Sequence, residues 1–305
     1  MSRFVIIYVL LIIFMLLLLF FAASCEVYTQ DRFEEEYFVE AFMVAGEAFG
    51  GVGLSKTAAF DEEYSKSESQ VGGAEGTIFK LDQDGNRIKA YVLYESSAGS
   101  YLPEEILIPR PRRSYELDMV TEDQHIIRAW TTIPDTFRVA KIVRDSVIYR
   151  SDEQVQVKLT RSWFPGRQNI FIFDTQALAP DSYHMTPYYY TDDESNRTAR
   201  RRIRSRITTE GNFEQNHDGT MILNYPWLEI SWFGPSQITI HAIDDNVYDY
   251  YRSQYVQSRD VSLGPGQIEN VISNVEGGRG LLGGLASVSF TIYVDYPPDF
   301  HPPGE

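Results

Sequence analysis

Short apolar and polar positions alternate over most of this chain, with the period expected of half-buried strands. Residues 38–44, Phe-Val-Glu-Ala-Phe-Met-Val, are mostly apolar and rich in β-branched and aromatic side chains, and they stop at Gly46, which predicts a buried strand. Residues 45–75 hold Gly46, Gly50, Gly51, Gly53, Gly72 and Gly73 around an acidic, Ser-rich middle, so loop is expected there with one short strand near Leu54. Two hairpins follow. Residues 77–81 and 88–94 flank Asp82-Gln83-Asp84-Gly85-Asn86, and residues 115–120 and 125–130 flank a second polar turn at Thr121 to Gln124. Beyond Pro134, strands are predicted at 137–143, 155–160, 169–174, 228–232, 237–243 and 287–294. Asp244 to Val256 reads as the one helix, because Asp244 or Asp245 can cap it and Val247, Tyr250, Tyr251 and Tyr255 recur at helical spacing. Residues 180–220 allow two readings, a long exposed excursion or two strands with a charged connection.

The pattern predicts an all-β protein of two β-sandwich-like domains, 37–135 and 136–296, with one short helix in the second and a Pro-rich tail over 297–305. Pro134 and the polar residues after Trp130 mark the boundary. The start of the chain is of another kind. An unbroken apolar run from Phe4 to Ala23 follows Arg3 and leads into Ser24 and Cys25, the only cysteine. Small residues before a lone thiol resemble the end of a bacterial lipoprotein signal peptide, a resemblance that implies a signal over 1–24, Cys25 lipidated and 25–36 an acidic tether. A run of this length also suffices to span a bilayer as an uncleaved anchor, and plain secretion is the third reading. No intramolecular disulfide is possible, so the core alone must hold the fold.

Composition narrows the function. With 27 basic against 43 acidic residues the net charge is −16, which argues against nucleic acid and against adhesion to anionic headgroups. Acyl chains are then the expected membrane attachment. The run Gly278-Arg279-Gly280-Leu281-Leu282-Gly283 matches GxGxxG, but a dinucleotide site needs a helix after it and a β-patterned segment follows. Asn274, Gly277, Gly278, Gly280, Gly283 and Gly284 are therefore read as a structural glycine loop. The Asp82 turn begins like a calcium loop yet lacks the distal glutamate, and reads as a hairpin turn. His125, His184, His217, His241 and His301 occur singly, and no HExxH, GxSxG or P-loop pattern is present. No metal, cofactor or catalytic residue is expected.

One segment is unusual in composition. Arg197, Arg200, Arg201, Arg202, Arg204 and Arg206 fall within ten residues of an acidic chain, so this segment either docks a carboxylate-rich or phosphorylated surface or compensates the adjacent Asp192, Asp193 and Glu194. Of these, Arg200, Arg201, Arg202 and Arg204 are candidate binding residues. Tyr188, Tyr189 and Tyr190 are candidate aromatic anchors beside them.

Several separated stretches carry a family resemblance. They are Cys25; the opening strand Tyr37 to Val44 with its Gly-rich loop and Leu54-Ser55-Lys56-Thr57; Val71 to Ile78 leading to an Asp-Gly turn; and Ile238 to Tyr251 followed by Ile272 to Gly284 and a closing strand. Together they resemble the bacterial outer-membrane lipoproteins grouped as domain of unknown function 4249, which accompany TonB-dependent receptors. The resemblance implies an immunoglobulin-like first domain, a cell-envelope location and no established catalytic activity. The function expected from it is that of a non-enzymatic accessory or binding partner of a TonB-dependent receptor in nutrient uptake, with its periplasmic or surface-exposed face undetermined. A stand-alone glycan- or peptide-binding or adhesion module is the alternative, and an envelope hydrolase the third.

Overall fold

The computed structural model describes residues 34–58, 65–258 and 271–301. Cys25, the apolar run and most of the acidic tether lie outside these residues. β1 (Tyr37–Val44) and β2 (Val52–Lys56) pair antiparallel, and a short helix α1 (Lys66–Ser69) leads to β3 (Glu75–Leu81), β4 (Arg87–Ser97), β5 (Ser100–Pro103), β6 (Ser114–Val120) and β7 (Ile126–Thr132). The β3–β4 turn forms as its residues require: Asp82 accepts the N–H groups of Asp84 at 2.9 Å and Asn86 at 2.8 Å.

Then come β8 (Val139–Arg144), β9 (Ser146–Ile148), β10 (Gln156–Thr160), β11 (Ile170–Ala177), α2 (Glu194–Ala199), β12 (Arg202–Arg204), β13 (Thr208–Thr209), β14 (Glu214–Gln215), β15 (Thr220–Asn224) and β16 (Gly234–Ile243). Helix α3 (Asp245–Ser258), β17 (Val275–Glu276) and β18 (Arg279–Asp295) complete the described chain. The fold is mostly β and sandwich-like, as the alternation predicts.

Among the described residues there are two sheets, one of fourteen strands and one of four in the order β14-β15-β10-β8. The large sheet turns on β18. Its residues 279–285 run parallel to β1, from Phe38 opposite Arg279 to Val44 opposite Leu285, and residues 285–294 run antiparallel to β16. Leu285 therefore stands opposite both Val44 and Ile243. At the other end of the path β17 pairs with β7, and β17 and β18 are joined through Gly277 and Gly278, so the strands from β1 to β7 wrap round one core. That core holds Val39, Met43, Ile78, Tyr101, Leu117 and Ile127 together with Val275 and Leu282 from the C-terminal strands. A second core lies where β11, β16 and the end of β18 face the four-stranded sheet, with Phe171, Phe173, Ile240 and Phe290 against Val157 and Met221.

Two expectations are corrected. The glycines from Gly280 to Gly284 are not a loop but the first part of β18, whose predicted span began at 287. Glycine is needed there for closeness: Gly280 has φ +111°, and a Cβ on it would collide with the Val39 carbonyl oxygen. A Cβ on Gly283 would collide with Val247 of α3, so this position lets the helix lie on the strand. Residues 228–232 are likewise no strand. Pro226 opens a 3-10 turn at Trp227–Glu229, after which Ile230 enters the second core while Trp232 joins Ala177 and Met185 in a separate cluster. An i, i+2 spacing of apolar residues imitates alternation here although the side chains go to different places.

Helix α3 is capped as expected. Asp244 Oδ1 accepts the Val247 N–H at 2.9 Å, and its other oxygen accepts the Thr131 hydroxyl of β7 at 2.6 Å. Burial pushes this carboxyl from 3.8 up to about 7, against those hydrogen bonds. Because the folded value lies above the unfolded one, the native state holds the extra proton, and stability falls as pH rises from about 4 through 7. Asp244→Asn, which keeps a capping oxygen, should flatten that part of the stability profile, measured by urea unfolding at stepped pH. An unaltered slope would show that Asp244 does not carry it. Gly280→Val should cost more than about 3 kcal/mol, since positive φ and a backbone collision add. Gly283→Ala should cost about 1–3 kcal/mol by overpacking against Val247. Equal unfolding midpoints for wild type and Gly280→Val would contradict the β1–β18 packing.

Candidate functional site

Strand β11 begins apolar and acquires one buried charge. Ile170, Ile172 and Asp174 share a face by the period of two, and in the paired β16 His241 stands opposite Ile172 and Thr239 opposite Asp174. Helix α3 covers the apolar end of this face, where Ile170, Ile172, Ile243, Val247 and Leu281 form a small core of their own. Past the helix the face turns polar. β12 adds to the edge of β11 with Arg204 opposite Asp174 and Arg202 opposite Gln176, so the Arg-Ile-Arg alternation delivers both guanidiniums to this face.

Asp174, 3% exposed, accepts from Arg204 Nε at 2.7 Å and Nη2 at 3.0 Å and from Arg202 Nη2 at 2.5 Å. Arg204 also donates to the Tyr251 hydroxyl of α3. Desolvation works to raise the Asp174 pKa, but His241 and the two guanidiniums outweigh it and hold the carboxyl well below the usual range. His241 Nε2 stands 3.6 Å from Asp174 Oδ2, beyond hydrogen-bond distance, and is buried with no hydrogen-bond partner. Its Nδ1 meets Ser287 Oγ at 2.7 Å. These groups line a cavity of about 210 Å³ walled by Phe42, Ile172, Val247 and Leu285.

The sequence-derived candidates divide. Arg202 and Arg204 are brought together by Asp174, an acid from another strand. The adjacent acids serve elsewhere: Asp193 caps α2 through the N–H groups of Ser195 and Asn196, and Asp192 accepts the Tyr190 hydroxyl. Compensation by those neighbours is thus corrected to compensation by Asp174, and by Asp181 for Arg201 at 2.7 Å. Residues 180–220 form neither of the two expected shapes alone, since α2, β12, β13 and β14 punctuate the excursion. Arg200 donates to the Tyr189 carbonyl at 2.5 Å, and its own carbonyl accepts from Ser231 Oγ and Trp232 Nε1. Tyr188 is 63% exposed and packs edge-on against Tyr189, whose hydroxyl donates to the Leu228 carbonyl.

Asn274 lies outside any loop function of its own: its side-chain amide donates to the carbonyls of Trp130 at 2.8 Å and Leu282 at 2.9 Å, and accepts from the Leu282 N–H at 3.1 Å. Gly277, φ +75°, offers its carbonyl to His125 Nε2 at 2.5 Å, and Gly278 packs against the Tyr37 carbonyl. His184 meets the Tyr296 hydroxyl, while His217 and His301 are exposed. Among the described residues no group of three or more His, Cys, Asp or Glu is placed to hold a metal ion. Sequence reasoning missed Asp174 and His241. The available signal was an acid ending the apolar run 170–173 and a histidine inside an alternating strand.

A family model, Domain of unknown function (DUF4249), matches residues 25–291, and the chain belongs to that family. No curated protein matches. Among solved structures the chain is similar to trypsin-activated alpha-2-macroglobulin from Escherichia coli (10% identity, 69% of this chain and 14% of that one, TM-score 0.21) and to its native conformation (10%, 88% and 15%, 0.24). It is also similar to three N-terminal domains of the outer capsid protein Hoc of bacteriophage RB49 (8%, 87% and 71%, 0.22). This chain thus spans about one seventh of the macroglobulin chains, and at these TM-scores the likenesses carry no functional argument.

Asp174→Ala should destabilise by about 1–3 kcal/mol, less than a fully buried pair would lose because both arginines reach solvent. The folded pKa of Asp174 lies below its unfolded value of 3.8, so its contribution is present above that value and drains away as pH falls. Wild type should therefore lose more stability than Asp174→Asn on acidification below about pH 4, read by thermal melts across pH; parallel acid limbs would refute the assignment.

Proposed function

We propose that this protein is a non-enzymatic outer-membrane lipoprotein, tethered through Cys25, that serves as an accessory or binding partner of a TonB-dependent receptor in nutrient uptake. The observation that carries the reading is the position of the family match, which begins at Cys25, with only Ser24 between it and the apolar run. A unit that starts at the only cysteine fits a chain whose preceding residues are a removable signal. Its acidic surface leaves acyl chains as the means of membrane attachment.

Two measurements test the reading separately. Wild type should incorporate labelled palmitate and Cys25→Ser should not; labelling of Cys25→Ser would end the lipoprotein reading. Cross-linked wild type from outer membranes should co-purify with a large β-barrel, and recovery of the protein without one would end the receptor reading. Arg201→Gln, which breaks only an exposed pair with Asp181, should leave stability within about 0.5 kcal/mol and so reports on association alone. Replacing Arg202 and Arg204 would confound the two, because they neutralise Asp174.

A further inference from the structure

A groove of about 690 Å³ runs between α3 and the chain that leaves β12. Among the described residues, the charged ones lining it are Arg204, Arg206 and Arg252, with no aspartate or glutamate, in a chain of net charge −16. That local inversion of sign is built into the fold. Arg204 is fixed by Asp174, Arg206 lies 5.7 Å from the Tyr255 ring centre with the part-buried Glu229 within its electrostatic reach, and Arg252 lies 5.6 Å from the ring centre of Tyr248. Arg252 also meets Asp249 at 3.3 Å, an exposed pair that leaves most of its five donors unused. Guanidiniums lying over aromatic faces keep their N–H edges available for a planar or tetrahedral oxyanion.

The rest of the lining is suited to an apolar body. Ile172, Ile207 and the rings of Tyr248, Tyr251 and Tyr255 form the walls, and a groove mostly apolar with a few converging polar groups is the usual character of a small-molecule site. The groove shares Ile172, Arg204 and Tyr251 with the 210 Å³ cavity described above. On the wall of that cavity His241 Nε2 is buried without a hydrogen-bond partner among the described residues, with Asp174 Oδ2 3.6 Å away.

We propose that this groove and the adjoining cavity bind a small amphipathic oxyanion, a carboxylate or phosphate ester carried on an apolar body, with Arg206 and Arg252 receiving the anion and Tyr248, Tyr251 and Tyr255 the body. The site requires neither the lipid anchor nor a receptor, so it stands or falls apart from the function proposed above.

The test is calorimetric titration of the full chain in lipid nanodiscs with 3-phenylpropionate, phenyl phosphate and the neutral 3-phenylpropanol. At least one anion should bind at least tenfold more tightly than the alcohol, and the tighter of the two identifies the headgroup as carboxylate or phosphate. Binding should weaken with added salt. Arg206→Gln with Arg252→Gln should weaken it at least tenfold, with the unfolding midpoint confirming an intact fold, while Arg201→Gln should bind as wild type does. Absence of binding by both anions, equal binding of the alcohol, or unchanged affinity in the folded double variant would overturn the proposal. The comparison of anion with alcohol uses wild type alone and so decides the matter even if the double variant does not fold.

Discussion

The structure depends on one strand being shared. Within the large sheet β18 closes the first core through its parallel pairing with β1 and lines the second through its antiparallel pairing with β16, and it changes partner at Leu285. Its side chains divide accordingly: Leu282 enters the first core, Ala286, Phe290, Ile292 and Val294 enter the second, and Leu281 and Leu285 meet the α3 side. A shift of one residue would exchange every one of these destinations, so register is strongly specified. Glycine at 280 and 283 allows β1 and α3 to approach a strand crowded on both edges and one face.

Helix α3 and the polar end of β11 are consequences of that arrangement. The helix rests on the face of β18, β16 and β11 where the side chains are small or apolar, and Asp174 marks where its cover ends. A carboxylate at such an edge is largely desolvated, and its stability requires cations from a neighbouring strand. β12 supplies them in register. The arginine-rich segment is therefore partly structural, and its two roles separate by residue: Arg202 and Arg204 point to Asp174, whereas Arg201 and Arg206 are free of it.

Where local chemistry decides the outcome, the sequence was sufficient. The β3–β4 and β6–β7 hairpins, the buried β1 and the capped α3 follow from turn residues and periodicity that act within a dozen positions. The misreadings share a cause in tertiary packing. Glycines 280–284 signal a loop by composition, yet the neighbours that demand small residues are Val39, Val247 and Thr131, far away in the chain. The residues around Asp174 show the same limit. An acid beside an apolar run, six arginines downstream and a histidine in a later strand are each visible, but only strand pairing brings them together.

The β1–β18 pairing also sets a timetable for the chain. Roughly 240 residues separate Phe38 from its partner Arg279, a separation that makes the contact among the slowest to form. During synthesis from the N-terminus, β1 and its hairpin neighbours emerge first and must wait with one edge unpaired and one side of their core open. An unpaired apolar strand is a template for pairing with other chains. A strand made more than two hundred residues after β1 is thus the one that closes the first core, which couples the soundness of strands β1 to β7 to synthesis as far as β18.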